Sequence, residues 1–137
     1  MTKDETIDIM RDAGFGFLAT NEGGQPRVRP MMPYLSDDNK HLLVALLGRA
    51  RTLQQVKANP KVEVCFVDRK MWYCRVMGKA SLSEDKVKKE TIWNNIPMLR
   101  QYFSSPQDPN FILAEVEMKS LEAMTPHQKA PETITLV

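Results

Sequence analysis

Apolar positions in the first half of the chain change between the spacing of a helix and that of strands. Thr2 and Glu5 form a capping-box pattern, after which Ile7 and Met10 fall on one helical face, and this predicts a helix over residues 3–13. The pattern further predicts strands over residues 15–20, 25–35, 41–46 and 62–67, with a helix over residues 49–59.

Two longer segments of alternating side chains dominate the second half of the chain. Residues 71–82 and 111–118 alternate between two faces, which predicts strands, and a short strand is expected over residues 121–124. The tail over residues 133–137 is expected to be extended and able to pair with a partner.

Helical signals separate these two long strands. Ser83 is expected to cap a helix that runs to about residue 95, and a short helical piece follows from Pro97. Residues 104–110 contain two prolines and are expected to form a loop. Hairpin-connected strands with a few helices predict a mainly β (α+β) fold, an antiparallel barrel of six or seven strands with peripheral helices.

Length and composition limit the class of protein. The chain has 137 residues, which fits a single domain over residues 1–137, and its 19 basic and 17 acidic residues give a net charge of +2. This balance argues against a nucleic acid or an anionic membrane as partner, and the longest apolar stretch, residues 42–47, is far shorter than a membrane span. Because the N-terminus is charged and lacks a signal segment, we expect a cytoplasmic protein.

The two cysteines and two histidines show no metal-ligand spacing. Cys65 and Cys74 lie within predicted strands, where buried reduced thiols are expected, so no metal site is predicted. His41 and His127 are not close in sequence to any cluster of reactive side chains, and we assign neither a catalytic role.

The first candidate site is the junction between a predicted strand and helix at residues 46–52. Gly48 permits close approach to the backbone, and the helix start offers N–H groups and a positive dipole end that suit a phosphate. Arg51 would add a charged hydrogen bond and Thr52 a neutral one. The alternative is a solvated basic helix start, with Arg49 and Arg51 facing water.

The second candidate site is the proline-rich extended segment over residues 25–35. Proline cannot donate a hydrogen bond to a sheet, so this strand should be an edge strand, bulged, or bent around a ligand. Arg27 and Arg29 share one face of it, while Met31 and Met32 would pack against an aromatic ring. The alternatives are solvent-exposed arginines, and methionines that pack in the core or in a dimer interface. A ligand with a ring at one end and a phosphate at the other could span both candidate sites.

Several motifs, taken in their order, resemble the pyridoxamine-phosphate-oxidase-related flavin family that includes general stress proteins. They are PRVRPM at 26–31, KANPKV at 57–62, YCRVMGKA at 73–80, LRQYF at 99–103 and DPNF at 108–111. The resemblance covers nearly the whole chain. It implies a split β-barrel that forms a homodimer with flavin mononucleotide (FMN) at the subunit interface.

Carried over by position, the resemblance also implies a set of cofactor-binding residues. The flavin ring would be lined by Arg29, Pro30, Met31 and Met32, its ribityl side and edge by Leu46, Leu47, Gly48 and Arg49, and the phosphate would be held by Arg51 and Thr52. Many members have serine where this chain has Ala50 and lysine where it has Thr52, whereas small flavin-binding relatives have a basic residue followed by threonine. Trp93 or Tyr102 could cover the ring from the partner chain, but for each of them we expect buried aromatic packing instead.

The function implied by the resemblance is that of an FMN-dependent oxidoreductase acting on a small molecule, with the flavin as redox centre. The chain lacks the additional C-terminal substrate-binding region of the true oxidases, so pyridoxamine phosphate is not the expected substrate. Two alternatives stay open: a flavin- or haem-binding carrier without catalysis, and a cofactor-free dimer.

Overall fold

Antiparallel strands and short helices follow one another along the chain. The computed structural model describes residues 1–136, and its elements in chain order are α1 (Lys3–Ala13), β1 (Gly16–Glu22), β2 (Gln25–Met31), β3 (Tyr34–Leu35), β4 (His41–Leu47), α2 (Arg51–Ala58), β5 (Lys61–Val67), β6 (Tyr73–Ser83), α3 (Lys86–Asn95), a 3₁₀ helix (Pro97–Gln101), β7 (Phe111–Met124) and β8 (Glu132–Thr135).

Within residues 1–136 the strands form one sheet of eight, all paired antiparallel, in the order β2-β1-β5-β6-β7-β4-β3 with β8 also on β7. Strand β7 is the longest, and it pairs with β6 along most of its length. On its other side, its first half pairs with β4 and its second half with β8. The fold is therefore mainly β and antiparallel, as predicted.

Several sequence predictions about the strands differ from the structure. The sheet has eight strands within the described residues instead of six or seven, because the predicted strand over residues 25–35 is divided into β2 and β3 and because β8 joins the sheet. The predicted strand over residues 121–124 is the continuation of β7, whose pairing with β6 goes on after the register shifts by one residue between Met77 and Gly78. Strand β8 pairs with β7 of the same chain, so this part of the tail is not free for a partner. Residue 137 lies outside the described residues.

Helix α3 begins two residues later than predicted, because Ser83 is not its N-cap. Asp85 is the N-cap, and its carboxylate accepts hydrogen bonds from the backbone N–H groups of Val87 (2.9 Å) and Lys88 (3.2 Å). The Ser83 hydroxyl instead accepts from the N–H of Asp85. Helix α2 likewise begins at Arg51 instead of residue 49.

The hairpin between β1 and β2 positions one edge of the candidate site. Gly23 and Gly24 both have positive φ (57° and 88°), as a tight two-residue turn requires. Glu22 therefore pairs with Gln25, and the turn consists of Gly23 and Gly24 alone instead of the predicted residues 21–24. Strand β2 is the outermost strand of the sheet, as its prolines predicted.

The core is divided between the two faces of the sheet. The largest cluster packs α1 against the sheet and includes Leu18, Phe66 and Leu121. A second cluster packs α3 and the 3₁₀ helix against β4 and β7 through residues such as Ile92 and Phe111. A third, smaller cluster joins α2 to β4 and β7 and comprises Val44, Leu46, Leu53 and Ala114.

The two cysteines point to opposite faces of the sheet. Cys65 pairs with Arg75 while Phe66 pairs with Cys74, so neighbouring positions place the two thiols on different sides, and both are free. Burial raises the pKa of Cys74 to about 12. Among residues 1–136, no helix has the length and hydropathy to cross a bilayer.

Candidate functional site

A cavity of about 630 Å³ opens between the end of β2, strand β4, the start of α2 and the 3₁₀ helix. This volume lies within the range of small-molecule and cofactor sites. Its lining is almost wholly apolar and comprises Phe15, Pro30, Met31, Met32, Val44, Ala45, Leu46, Leu47, Ala50, Thr52, Met98, Leu99, Tyr102 and Phe103.

Both candidate sites from the sequence contribute to this one cavity. The predicted residues that line it are Pro30, Met31, Met32, Leu46, Leu47 and Thr52. Four others lie beside the cavity instead of in its wall: Arg29, Gly48, Arg49 and Arg51. Whether any of the ten contacts a flavin stays a prediction.

Large apolar side chains surround the mouth of the cavity and are exposed to solvent. The exposed fractions are 50% for Phe15, 37% for Met32, 45% for Met98 and 57% for Tyr102. Exposed apolar residues that are grouped around one cavity are typical of a surface that binds a ligand or a partner. The prediction that Tyr102 would be buried is wrong, because the short 3₁₀ helix turns this side chain towards the cavity. Trp93 is half-buried and packs beneath the guanidinium of Arg100.

The amide groups around the start of α2 are only partly available to a ligand. The N–H of Gly48 donates to the backbone oxygen of Asn110 (2.9 Å), and the side-chain oxygen of Asn110 lies 3.0 Å from the same nitrogen. Ala50 is the N-cap of α2 and has no polar side chain to satisfy the first N–H groups of the helix. An anionic ligand at this turn would therefore meet the N-terminus of α2 without displacing a capping side chain.

Arg51, the first residue of α2, is engaged by an acidic residue of the β1–β2 hairpin. Its Nη2 lies 2.7 Å from Oε1 of Glu22, although 72% of the Arg51 side chain is exposed. Arg27 forms a second ion pair with the same oxygen (3.2 Å), and Gln55 donates to Oε2 (2.9 Å). The hydrogen bond from Gln55, with the charges of Arg51 and Arg27, lowers the pKa of Glu22.

Arg29 belongs to a buried polar network between β1, β2 and α2. One of its amino groups donates to Thr20 Oγ1 (2.8 Å) and to the backbone oxygen of Leu18 (3.1 Å), and the other donates to Gln55 Oε1. Thr20 also donates to Gln55 Oε1 (2.6 Å). Thr20 and Gln55 are each only 4% exposed, so this network fixes α2 on the sheet. Gln55 and Glu22 are not among the site residues predicted from the sequence.

The chain is similar to known proteins along nearly its whole length. A solved structure of general stress protein 26 from Bacillus anthracis str. Sterne superposes with a TM-score of 0.83 at 28% identity, covering 98% of each chain. General stress protein 26 of Bacillus subtilis (strain 168) is 25% identical over 98% of this chain and 96% of that protein. A haem-binding protein from Mycobacterium smegmatis shares the fold alone, with a TM-score of 0.80 at 13% identity over 96% of this chain and 56% of that one.

These likenesses define a split β-barrel related to general stress protein 26. The family model described as pyridoxamine 5'-phosphate oxidase matches residues 2–125, which is most of the chain. The chain therefore belongs to the pyridoxamine 5'-phosphate oxidase family.

Proposed function

We propose that this protein is an FMN-binding oxidoreductase that acts on a small molecule. The proposal rests on one observation: an apolar cavity of about 630 Å³ reaches the basic start of α2. Ala50 and Thr52, on either side of Arg51, both line this cavity. A ligand with a flat ring and a terminal phosphate matches this combination of an apolar wall and a cationic end.

The residues present fit FMN at both ends. The ring would pack against Met31 and Met32, whose thioethers are soft and polarizable, and against Leu46 of β4. The phosphate would be held by Arg51 through charged hydrogen bonds and by the hydroxyl of Thr52, with the uncapped N-terminus of α2 adding a favourable dipole.

FMN, when bound, supplies a redox centre that accepts a hydride or electrons and passes them on. The protein would orient the ring with its apolar walls and exclude water from one of its faces. The exposed side chains of Met98 and Tyr102 would border the open side of the cavity, where a small substrate has access. Arg29 is held by Thr20 and Gln55, so its contribution would be positive charge near the site.

The proposal includes a homodimer with the cofactor at the interface. An apolar surface continues from the cavity mouth onto the outer face of β1 and β2, where Phe17 is 40% exposed and Val28 is 70% exposed. Phe15 and Phe17 contact each other edge to face, with ring centroids 5.7 Å apart, and Pro30 pairs with Phe17 across the two strands. A second copy on this face would cover the apolar rings and close the cavity.

Absorption spectroscopy and size-exclusion chromatography with light scattering test the two parts of this proposal. We expect the purified protein, supplied with FMN, to be a dimer with one flavin per chain, and the flavin colour to bleach with a nicotinamide donor and return with an acceptor. Val28→Glu should produce monomers with weakened FMN binding, whereas Val87→Glu, at an exposed site on α3, should not.

The outcomes of these measurements separate the alternatives. Binding without bleaching by any donor would favour a flavin carrier, and a haem spectrum after incubation with haemin would favour a tetrapyrrole-binding protein. No binding of FMN at micromolar concentration would contradict the proposal as a whole.

A further inference from the structure

The carboxylate of Glu22 occupies the basic group that the proposed function assigns to a phosphate. Its Oε1 lies 2.7 Å from Arg51 Nη2 and 3.2 Å from Arg27 Nη2, and its Oε2 accepts from Gln55 Nε2 at 2.9 Å. A phosphate ester presents oxygens of the same kind to such donors. Among these donors, Arg51 lies between Ala50 and Thr52 in the chain, and both of these residues line the cavity.

The pair between Glu22 and Arg51 is accessible to solvent and can be broken at low cost. The side chain of Arg51 is 72% exposed and that of Glu22 is 36% exposed, and ion pairs of this kind contribute little free energy. The Arg51 guanidinium is therefore free to exchange one anion for another. A phosphate bound to Arg51 would also lie near the Glu22 carboxylate, and the two negative groups would repel each other unless the carboxylate moved away.

We propose that Glu22 determines how strongly the site prefers phosphorylated to unphosphorylated flavin, because its carboxylate competes directly with the phosphate for Arg51. The inference rests on the proposed function and goes beyond it by assigning a role to a residue of the β1–β2 hairpin. Riboflavin has no phosphate, so its binding should not depend on this competition.

Titration of the protein with FMN and with riboflavin, followed by flavin fluorescence, tests the inference. Glu22→Gln keeps the size of the side chain but removes its charge and replaces one acceptor oxygen with a donor amino group. We expect this variant to bind FMN about three- to tenfold more tightly and riboflavin as the parent does. Glu90→Gln removes the same charge from an exposed site on α3 and should change neither affinity.

A double-mutant cycle with Arg51→Ala distinguishes direct competition from a general effect of charge. If Glu22 competes for Arg51, the gain from Glu22→Gln should disappear in the Arg51→Ala background. A gain that persists there, or equal FMN affinity of Glu22→Gln and the parent, would overturn the inference while leaving FMN binding itself intact. Failure of the parent protein to bind either flavin would overturn the proposed function, and the inference with it. Thermal unfolding of each variant checks that the fold is retained.

Discussion

Replacement of Gln55 by leucine tests the polar network that holds α2 against the sheet. The Gln55 amide oxygen accepts from Thr20 Oγ1 (2.6 Å) and from Arg29, and its amide nitrogen donates to Glu22 (2.9 Å). Leucine has a similar size but no polar atoms, so Gln55→Leu preserves most of the packing and removes all three hydrogen bonds.

The expected loss of stability follows from which groups are left without a partner. Thr20 is 4% exposed and loses its acceptor, and one amino group of Arg29 loses its acceptor in a half-buried position. A buried group left unsatisfied costs about 1–3 kcal/mol. Glu22 remains accessible to water and adds little. Because Arg29 is only half-buried, its group costs the lower end of this range, about 1 kcal/mol. The sum is roughly 2–4 kcal/mol, a large fraction of the ~5–15 kcal/mol that stabilises a typical domain.

Urea unfolding followed by circular dichroism measures this loss directly. For Gln55→Leu we expect a lower midpoint with an unchanged slope, and a melting temperature lower by roughly 5–15 °C. Gln54→Leu is the matched control, since Gln54 is the exposed neighbour on α2, and it should change stability by less than about 0.5 kcal/mol. If Gln55→Leu were as stable as the parent, the network would not be what fixes α2 in place.

Three further predictions concern the cofactor, the close contact of β6 with β7 at Gly78, and acid stability. Arg51→Ala should raise the dissociation constant for FMN about ten- to hundredfold, because a charged hydrogen bond contributes about 1.5–3 kcal/mol, and unchanged affinity in a fluorescence titration would refute the phosphate assignment. Gly78→Ala should destabilise the fold by about 1–3 kcal/mol in urea unfolding, because the added Cβ would lie 2.8 Å from Val116 Cγ1 and closer still to the carbonyl oxygen of Glu117. Ser81→Ala, on the exposed side of the same strand, is the control and should have little effect. The backbone N–H groups of Ser104 and Asn110 donate to the Asp108 carboxylate and lower its pKa, so the ionised Asp108 stabilises the fold above its ordinary pKa of 3.8 and this stability is lost as the pH falls through the lower folded value. Asp108→Asn should therefore show a smaller fall in melting temperature between pH 5 and pH 3 than the parent. An identical fall in both proteins would contradict this prediction.

The elements of the fold were largely predictable because their signals are local. The alternation in β6 and β7, the capping box before α1 and the prolines of β2 each reflect a constraint within a few residues of sequence. The start of α3 was placed two residues too early, because Ser83 and Asp85 are both good caps and local sequence alone does not choose between them. The pairing of β8 with β7 depends on contacts distant in sequence.

The candidate site was only partly predictable for the same reason. Met31, Leu46 and Thr52 lie in segments that the family resemblance covers, and the structure brings them to one cavity. Its other wall comes from the 3₁₀ helix, whose orientation depends on the packing of the second core cluster. The ion pair between Glu22 and Arg51 joins residues 29 positions apart and exists only because the tight β1–β2 turn and α2 lie side by side.

A crystal structure of the protein soaked with excess FMN would show whether the cavity holds the flavin. We expect electron density for a flavin ring in the cavity lined by Met31 and Leu46, with its phosphate against Arg51 and Thr52 at the start of α2. Ordered solvent alone in that cavity, or a flavin bound elsewhere on the chain, would contradict it.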